Sequence, residues 1–454
     1  MSTTAQGAGA PAPTEEHPGL LDALKGQPKQ VWVTAFAAVI AFMGIGLVDP
    51  ILNTITEALD ATPSQTTLLF ASYLGVQVFA MLLTGVMSYR FGAKRTVVTG
   101  LILIVVAAGL CAAAGTIGQL VWLRALWGLG NAFFIATALS VIVGAATGGQ
   151  KGAILLYEAA LGLGLAVGPL LGAVLGSMSW RGPFAGTAIL MGIGALLCAI
   201  MLTHDGDKSA RTPVRVTDPI RALKDRNLLM TSIGSAFYTA AFFAVIAWAP
   251  FALGKGAYYI GFVFFGWGVC VAIAGVFIAP RVAARFGERL GLMGTVFLCA
   301  VVLCVIAAGA ALESEALIVV GVVVSGLVSG VLNTMFTGAA MSSAATARSV
   351  SSAGYNFCRW MGGAVSAILV GHLAEWFGSD GDPAMAAPFW AAALCCLIAV
   401  GFLSLRPRDR AAGVHAETEL EVLEDEAAAE GPAQAVDEAG PPAQHSGAPV
   451  RSRT

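Results

Sequence analysis

Between residues 31 and 405 the chain is a succession of apolar stretches with brief polar interruptions, and only lipid can solvate such a chain without a polar coat. Of 454 residues, 57% are hydrophobic and 11% charged, with a mean hydropathy of +0.79. A soluble domain carries about a quarter charged residues. A globule this large would lack the polar surface to face water, which disfavours a cytosolic enzyme, a nucleic-acid binder and a disordered scaffold alike. The hydropathy breaks place twelve spans near 31–54, 67–88, 96–114, 118–146, 152–178, 184–203, 229–253, 258–279, 290–311, 316–342, 350–376 and 385–405. The expected fold is therefore an all-α membrane protein.

The longest polar interruption is 204–228, holding His204, Asp205, Asp207, Lys208, Arg211, Arg215, Arg221, Lys224 and Arg226, and it divides the spans six and six. The expected organisation is a polar head 1–30, an N-terminal six-helix bundle 31–203, the central loop 204–228, a C-terminal six-helix bundle 229–405 and an acidic tail 406–454. The head has no apolar core of signal-peptide type, so the first hydrophobic segment is expected to stay in the membrane. The tail carries Glu417, Glu419, Glu421, Glu424, Asp425 and Glu426 and is expected to be solvated and disordered.

Cations fall almost wholly on one side. With the amino terminus in the cytoplasm, that side holds Lys25, Lys29, Arg90, Lys94, Arg95, Lys151, the central-loop cations, Arg281, Arg285, Arg289, Arg348, Arg406, Arg408 and Arg410. The opposite loops hold only Arg181 and Lys255. This asymmetry predicts both termini and the central loop to be cytoplasmic in a multi-pass plasma-membrane protein.

The two halves repeat. Arg90-Phe91-Gly92 and Lys94 after span two match Arg285-Phe286-Gly287 and Arg289 after span eight. Gly128, Asn131 and Phe134 in span four match Gly330, Asn333 and Phe336 in span ten, and Glu158 stands before Gly164 as Asn356 stands before Gly362. Pro50 in span one answers Pro250 in span seven. The matches share one order and an offset of roughly 200 residues, which predicts a parallel duplication of a six-helix unit and two pseudo-symmetric bundles.

On these residues the chain resembles a major facilitator superfamily transporter, and within that superfamily the twelve-span drug:proton antiporters. Gly85-Val86-Met87-Ser88-Tyr89-Arg90-Phe91-Gly92-Ala93-Lys94-Arg95 is similar to the family's loop motif between spans two and three. Arg124-Ala125-Leu126-Trp127-Gly128-Leu129-Gly130 is similar to its span-four motif. Gly164-Leu165-Ala166-Val167-Gly168-Pro169-Leu170-Leu171-Gly172 is similar to the span-five motif of antiporters. The first departs from the pattern, with Tyr89 where the family has Asp. The resemblance implies conformational roles for Gly85, Arg90, Gly92, Lys94, Gly164, Gly168, Pro169 and Gly172. Independently, Gly164, Gly168, Gly172 and Gly176 recur every four residues and form a smooth helix face that lets another backbone approach. Either tight packing alone or a sliding seam between bundles would use such a face, and Pro169 within it is expected to bend the helix.

Charges inside spans cost at least a few kcal/mol unless paired or hydrated, so the four found there stand out: Asp49, Arg124, Glu158 and Arg359. Asp49 and Arg124 fall at similar depth. Both are expected to face a central cavity, with Arg124 keeping Asp49 ionised until a proton or a cationic substrate competes, or else to form a structural ion pair. Glu158, a carboxyl in apolar surroundings, suits a group that exchanges protons near neutrality, or a hydrogen-bonded structural acid. Arg359 is a partner for an anionic substrate group or for Glu158, or a structural cation. Asn131, Asn333 and Tyr238 are further cavity candidates. Tyr238 lies on an aromatic surface of span seven, with Phe242, Phe243 and Trp248, that would stack on a flat or cationic lipophile or simply pack.

No phosphate-loop Gly-Lys-Ser or Gly-Lys-Thr, His-Glu-x-x-His or Cys-x-x-Cys is present, which disfavours transport driven directly by ATP and a metal enzyme. The Cys residues are expected to act as small apolar groups. The expectation is a monomeric secondary transporter with no cofactor beyond a proton gradient. It would export a small lipophilic, drug-like or metabolite molecule in exchange for protons by alternating access. A proton symporter importing a metabolite, or a membrane sensor on the same fold, are the alternatives.

Overall fold

The computed structural model describes residues 27–145, 149–203, 215–342, 348–378 and 384–406, and among these there is no strand. Residues 1–26 of the polar head, the first part of the central loop and the tail beyond Arg406 lie outside the described residues. The long helices are α1 (Lys29–Gly46), α2 (Pro63–Phe91), α3 (Ala93–Ala113), α4 (Ile117–Ala145), α5 (Gly149–Met178), α6 (Gly182–Met201), α7 (Arg226–Leu253), α8 (Ala257–Ile273), α9 (Ala279–Ala311), α10 (Glu315–Ser342), α11 (Arg348–Trp376) and α12 (Ala387–Ser404). Among the described residues eleven stretches are long and apolar enough to cross a membrane, and one of them, Ala257–Ala311, has 55 residues. At about 1.5 Å per residue that stretch is more than twice the thickness of the bilayer core, so it is two spans and the described residues hold twelve. Gly287, with φ 72°, supplies the break between them.

Local chemistry explains several helix ends. Pro63 opens α2 behind a capping box, in which Thr62 Oγ1 accepts from the Gln65 N–H at 3.2 Å and Gln65 Oε1 accepts from the Thr62 N–H at 3.0 Å. Asp225 caps α7 by accepting from the Leu228 N–H at 2.8 Å, and Gly254 ends it at φ 57°. Gly92 turns the chain from α2 into α3 at φ 92°, ψ 158°, and Gly287 takes nearly the same conformation at φ 72°, ψ 168°. Both are the glycine of the repeated Arg-Phe-Gly, and a Cβ disfavours that backbone region.

The first span is not the continuous helix expected over 31–54. It stops at Gly46, passes through a 3-10 turn at Asp49–Ile51 and resumes as Leu52–Ala58. Pro50 is the reason, since it has no N–H for the Gly46 carbonyl and its ring crowds that oxygen. Irregular backbone at membrane depth is tolerated where protein buries it, and this turn packs against α5, α7 and α8.

The duplication is realised in three dimensions. Helix α1 packs on α5 and α6 as α7 packs on α11 and α12. Helix α4 lies against α2 and α3 as α10 lies against α8 and α9. Two matched seams join the halves, α2 with α11 and α5 with α8. Gly128 abuts the Tyr73 carbonyl of α2 and Gly330 abuts the Val271 carbonyl of α8, neither leaving room for a Cβ. The α5–α8 seam brings Gly162 against Ala272, Ala166 against Gly268, and Ala173 with the Pro169 carbonyl against Gly261. The glycine stripe lies elsewhere: Gly164, Gly168, Gly172 and Gly176 meet Phe42, Met43, Leu47 and Ile51 of the first span, in their own half. The reading of that stripe as a seam between bundles is therefore corrected. The seam uses the neighbouring face of α5, because the small residues on both faces let two different helices approach.

Candidate functional site

The span-four motif builds a closed polar cluster. Arg124, Gly128 and Asn131 share one face of α4, and the tight Gly128–Tyr73 approach sets Arg124 and Asn131 beside α2. Arg124 is fully buried. Its guanidinium lies 4.5 Å from the Tyr73 ring centre and 4.7 Å from that of Trp127, and its Nε–H donates to the Leu69 carbonyl at 3.4 Å. Asn131 donates to the Tyr73 hydroxyl and, at 3.0 Å, to Gln77 Oε1. Gly44 of α1 covers Trp127 so closely that an added Cβ would lie 2.9 Å from the ring. Arg124 precedes Trp127 by three positions on α4, and Asp49 follows Gly44 by five in the first span.

The matching cluster in the other half opens onto a cavity. Asn333, one turn after Gly330, receives a 2.8 Å hydrogen bond from Arg359 Nη2 on its Oδ1. The Tyr238 hydroxyl lies 3.1 Å from the same Oδ1 and 3.1 Å from the Ser329 carbonyl, its one proton available to either. Arg359 stands 5.4 Å from the Trp360 ring centre and 6.0 Å from that of Tyr355. Asn333, Arg359 and Trp360, with Thr239, Phe242 and Phe243 of α7, form one wall of a cavity closed by Phe42 and Ile45 of α1 and Leu161 and Leu165 of α5. Its volume is about 20 Å³, room for roughly one water.

The sequence candidates thus divide. Asn333 and Arg359 line the cavity and Tyr238 braces them from behind. Arg124 and Asn131, expected to face the cavity, do not line it, because ring faces and the Leu69 carbonyl hold Arg124 while Tyr73 and Gln77 hold Asn131. The side chains of Asp49 and Glu158 lie outside the described ones. Glu158 precedes Leu161 by three positions and Leu165 by seven, the register of one helical face. Sequence reasoning missed Tyr73, Phe42 and Trp360; the spacing of Tyr73 and Gln77, four apart in an apolar span, was the one available signal.

The loop motif acts at the basic end. Lys94 Nζ donates to the Leu202 carbonyl at 2.6 Å, capping the end of α6, and Arg289 donates to the Ser404 carbonyl at the end of α12. In the second half Glu288 also accepts from the buried Arg406. Gly85 is part of α2 and Arg90 is exposed at its last turn. Among the described residues no three His, Cys, Asp or Glu side chains gather as a metal site.

Residues 34–367 match the Major Facilitator Superfamily. The chain belongs to that family. This major facilitator is 46% identical over 354 residues to the multidrug efflux protein YfmO of Bacillus subtilis, covering 78% of this chain and 88% of the relative. It is 29% identical over 192 residues to the quinolone resistance protein NorA of Staphylococcus aureus, covering 42% of this chain and 49% of the relative. Its fold is similar to that of the nucleoside transporter NupG, with a TM-score of 0.66, 12% identity and coverage of 83% of this chain and 100% of the other. The human organic anion transporter MFSD10 gives a TM-score of 0.64 at 14% identity, covering 83% and 99%. As a major facilitator the protein is a multi-pass membrane transporter and not an enzyme.

Proposed function

We propose that the protein is a monomeric, plasma-membrane exporter that exchanges a small molecule for protons by alternating access between its two six-helix bundles, 31–203 and 229–405. The observation that carries this reading is the cavity between the halves, which both bundles line and which the α2–α11 and α5–α8 seams flank. Seams of Gly and Ala allow two rigid bodies to rock without repacking large side chains. Ties between the halves at the end away from the basic loops support a conformer closed to the outside: Asn53 donates to the Pro250 carbonyl at 3.2 Å, and Ser177 to the Tyr258 hydroxyl at 2.8 Å. The positive-inside asymmetry then puts both termini in the cytoplasm. The efflux relatives, YfmO above all, support the outward direction. In this reading Asp49 and Glu158 carry the proton, Arg124 keeps Asp49 ionised until a proton or substrate competes for it, and Asn333 and Arg359, braced by Tyr238, meet the substrate. Gly92 and Lys94 fix the α2–α3 turn, while Gly164, Gly168, Gly172 and Pro169 keep α5 close to its neighbours.

Reconstituted vesicles carrying an imposed pH gradient test this. Substrate flux opposite to the proton gradient is expected, and it should fall at least tenfold with Asp49→Asn or Glu158→Gln. Flux in the same direction as protons would make the protein a symporter, and coupled export unchanged in both variants would remove those acids from the mechanism.

A further inference from the structure

We infer that a furrow on the membrane-facing side of the C-terminal bundle, between α11 and α12, holds one acyl chain of a bilayer phospholipid as a bound ligand. The furrow lies apart from the small cavity, and its role does not depend on the direction or coupling of transport. Helices α11 and α12 both pack along α7 and hardly touch each other, so a space of about 450 Å³ runs between them. Its origin is side-chain size. Ala236, Ala240 and Ala244 of α7 form the floor, and Ala391, Ala392 and Cys395 of α12 form one wall. These side chains are too short to reach the opposite wall, where Met361, Val365 and Leu369 of α11 stand at helical spacing. Among the described lining residues Ser366 carries the one hydroxyl, and an apolar space of this kind stays dry. Both ends are shut. Phe237 of α7 stacks on Phe402 of α12 at the basic end, with ring centres 5.9 Å apart. At the other end the Ala384 N–H donates to the Ala374 carbonyl at 2.8 Å and the Trp248 indole N–H to the Met385 carbonyl at 3.1 Å, which ties the chain entering α12 to both α11 and α7. The opening is therefore sideways, past the exposed Val365 and Leu369 and beside the exposed Leu394 of α12. In a multi-pass membrane protein that direction is lipid. From Ile233 to Ala244 the floor is about 17 Å long, close to one leaflet of a hydrocarbon core about 30 Å thick. An acyl chain fits that length and needs no polar contact, whereas a ligand with a buried polar centre would leave it unpaired. Bulk lipid is as apolar as the furrow, so what retains the chain is dispersion contact on three sides. The furrow also adjoins the seam between the halves, since Phe357 in its lining sets its ring edge-on to Phe79 of α2 at 6.1 Å. Arg359 and Trp360, two and three positions on, face the cavity. A chain wedged against α11 thus bears on the helix that carries both the seam and a cavity wall.

The full-length protein in nanodiscs of dioleoylphosphatidylcholine, doped with a phosphatidylcholine that bears a diazirine midway along one acyl chain, tests this. After irradiation, adducts mapped by mass spectrometry should fall on Met361, Val365 and Cys395 at least about fivefold more often than on exposed residues outside the furrow, such as Ile189, Leu196 and Phe262, because three walls hold the chain where one helix face does not. Ala391→Phe and Ala240→Leu, one from a wall and one from the floor, should fill the furrow with protein and lower the furrow adducts by a similar factor while the others persist. In delipidated protein the same variants should unfold at a higher temperature than the parent, and added dioleoylphosphatidylcholine should raise the parent's unfolding temperature more than theirs. Even labelling of the furrow and the outer faces would overturn the proposal, as would furrow adducts undiminished in both variants. Failure of both variants to fold would overturn it too, since the space would then not be free to receive a chain. A furrow protected from the lipid in a protein that runs as a dimer would assign it to a second copy of the chain, and overturn the lipid reading.

Discussion

The two halves carry the same scaffold and have put different charges on it. Gly128 and Gly330 make equivalent close approaches, and Asn131 and Asn333 follow each by one turn. In the N-terminal half the cation comes from the same helix, four residues before the glycine, and Arg124 is sealed between Tyr73 and Trp127. In the C-terminal half it comes from α11, across the bundle, and Arg359 borders the cavity half-buried. The first cation is clasped by rings and backbone away from the cavity, whereas the second, bonded to Asn333 and beside Tyr355 and Trp360, lies on the cavity wall. Duplication supplied the packing, and the halves then diverged in which helix bears the arginine.

The largest effect should come from breaking that contrast directly. Arg124→Ala removes two cation–ring contacts and the volume of a fully buried side chain, a loss on the order of 3 kcal/mol. Arg359→Ala removes the bond to Asn333 and two longer cation–ring contacts from a partly exposed site, about 1–2 kcal/mol. Thermal unfolding in detergent should therefore drop markedly for Arg124→Ala and less for Arg359→Ala, while substrate binding shows the reverse order. Equal thermal losses would mean that both arginines are structural.

Next in size is the scaffold itself. Gly128→Val and Gly330→Val each drive a branched side chain into a backbone carbonyl of the adjacent helix, and overpacking of this kind costs about 1–3 kcal/mol. The two should destabilise alike in the same unfolding assay. A large loss for one and none for the other would show that the duplicated contact bears load in one half alone.

How much of this the sequence disclosed depends on the range of the interaction involved. Twelve spans, the six-and-six division and the repeat were legible because hydropathy and spacing are local properties of the chain. The cluster around Arg124 was legible as a buried charge but not as a sandwich, because Tyr73 lies 51 positions earlier and only the α2–α4 crossing joins them. The glycine stripe of α5 shows the same limit. Its smoothness is written in the sequence, and which neighbour covers it is not, so Met43 and Leu47 were found there in place of α8. The break at Asp49–Ile51 was hidden for a different reason, since a hydropathy window averages over Pro50 and the backbone does not.

A smaller effect should follow from the turns. Gly92→Ala and Gly287→Ala place a Cβ at φ 92° and φ 72°, a strain of about 1–2 kcal/mol each. Because both turns have the same conformation, both variants should unfold at similarly reduced temperatures. Any difference would mark a half whose turn can relax.

The smallest expected effect separates the two basic ends. Lys94 caps the α6 carbonyl at Leu202, while the end of α12 is held by Arg289 on Ser404 and by Glu288 on Arg406. A cation at a helix C-terminus is worth about 0.3–1 kcal/mol near the surface and weakens with salt. Lys94→Gln should therefore lower the unfolding temperature slightly, and by less in high salt. Arg289→Gln should lower it less still, since the Glu288–Arg406 pair, whose arginine is buried, keeps the last turn of α12 in place. Adding Glu288→Gln to Arg289→Gln should then expose the full cost, so that the double variant loses more than the sum of the two single ones. Additive losses would show that the two contacts hold α12 independently, and that the second half gained its extra ion pair without transferring any of the latch to it.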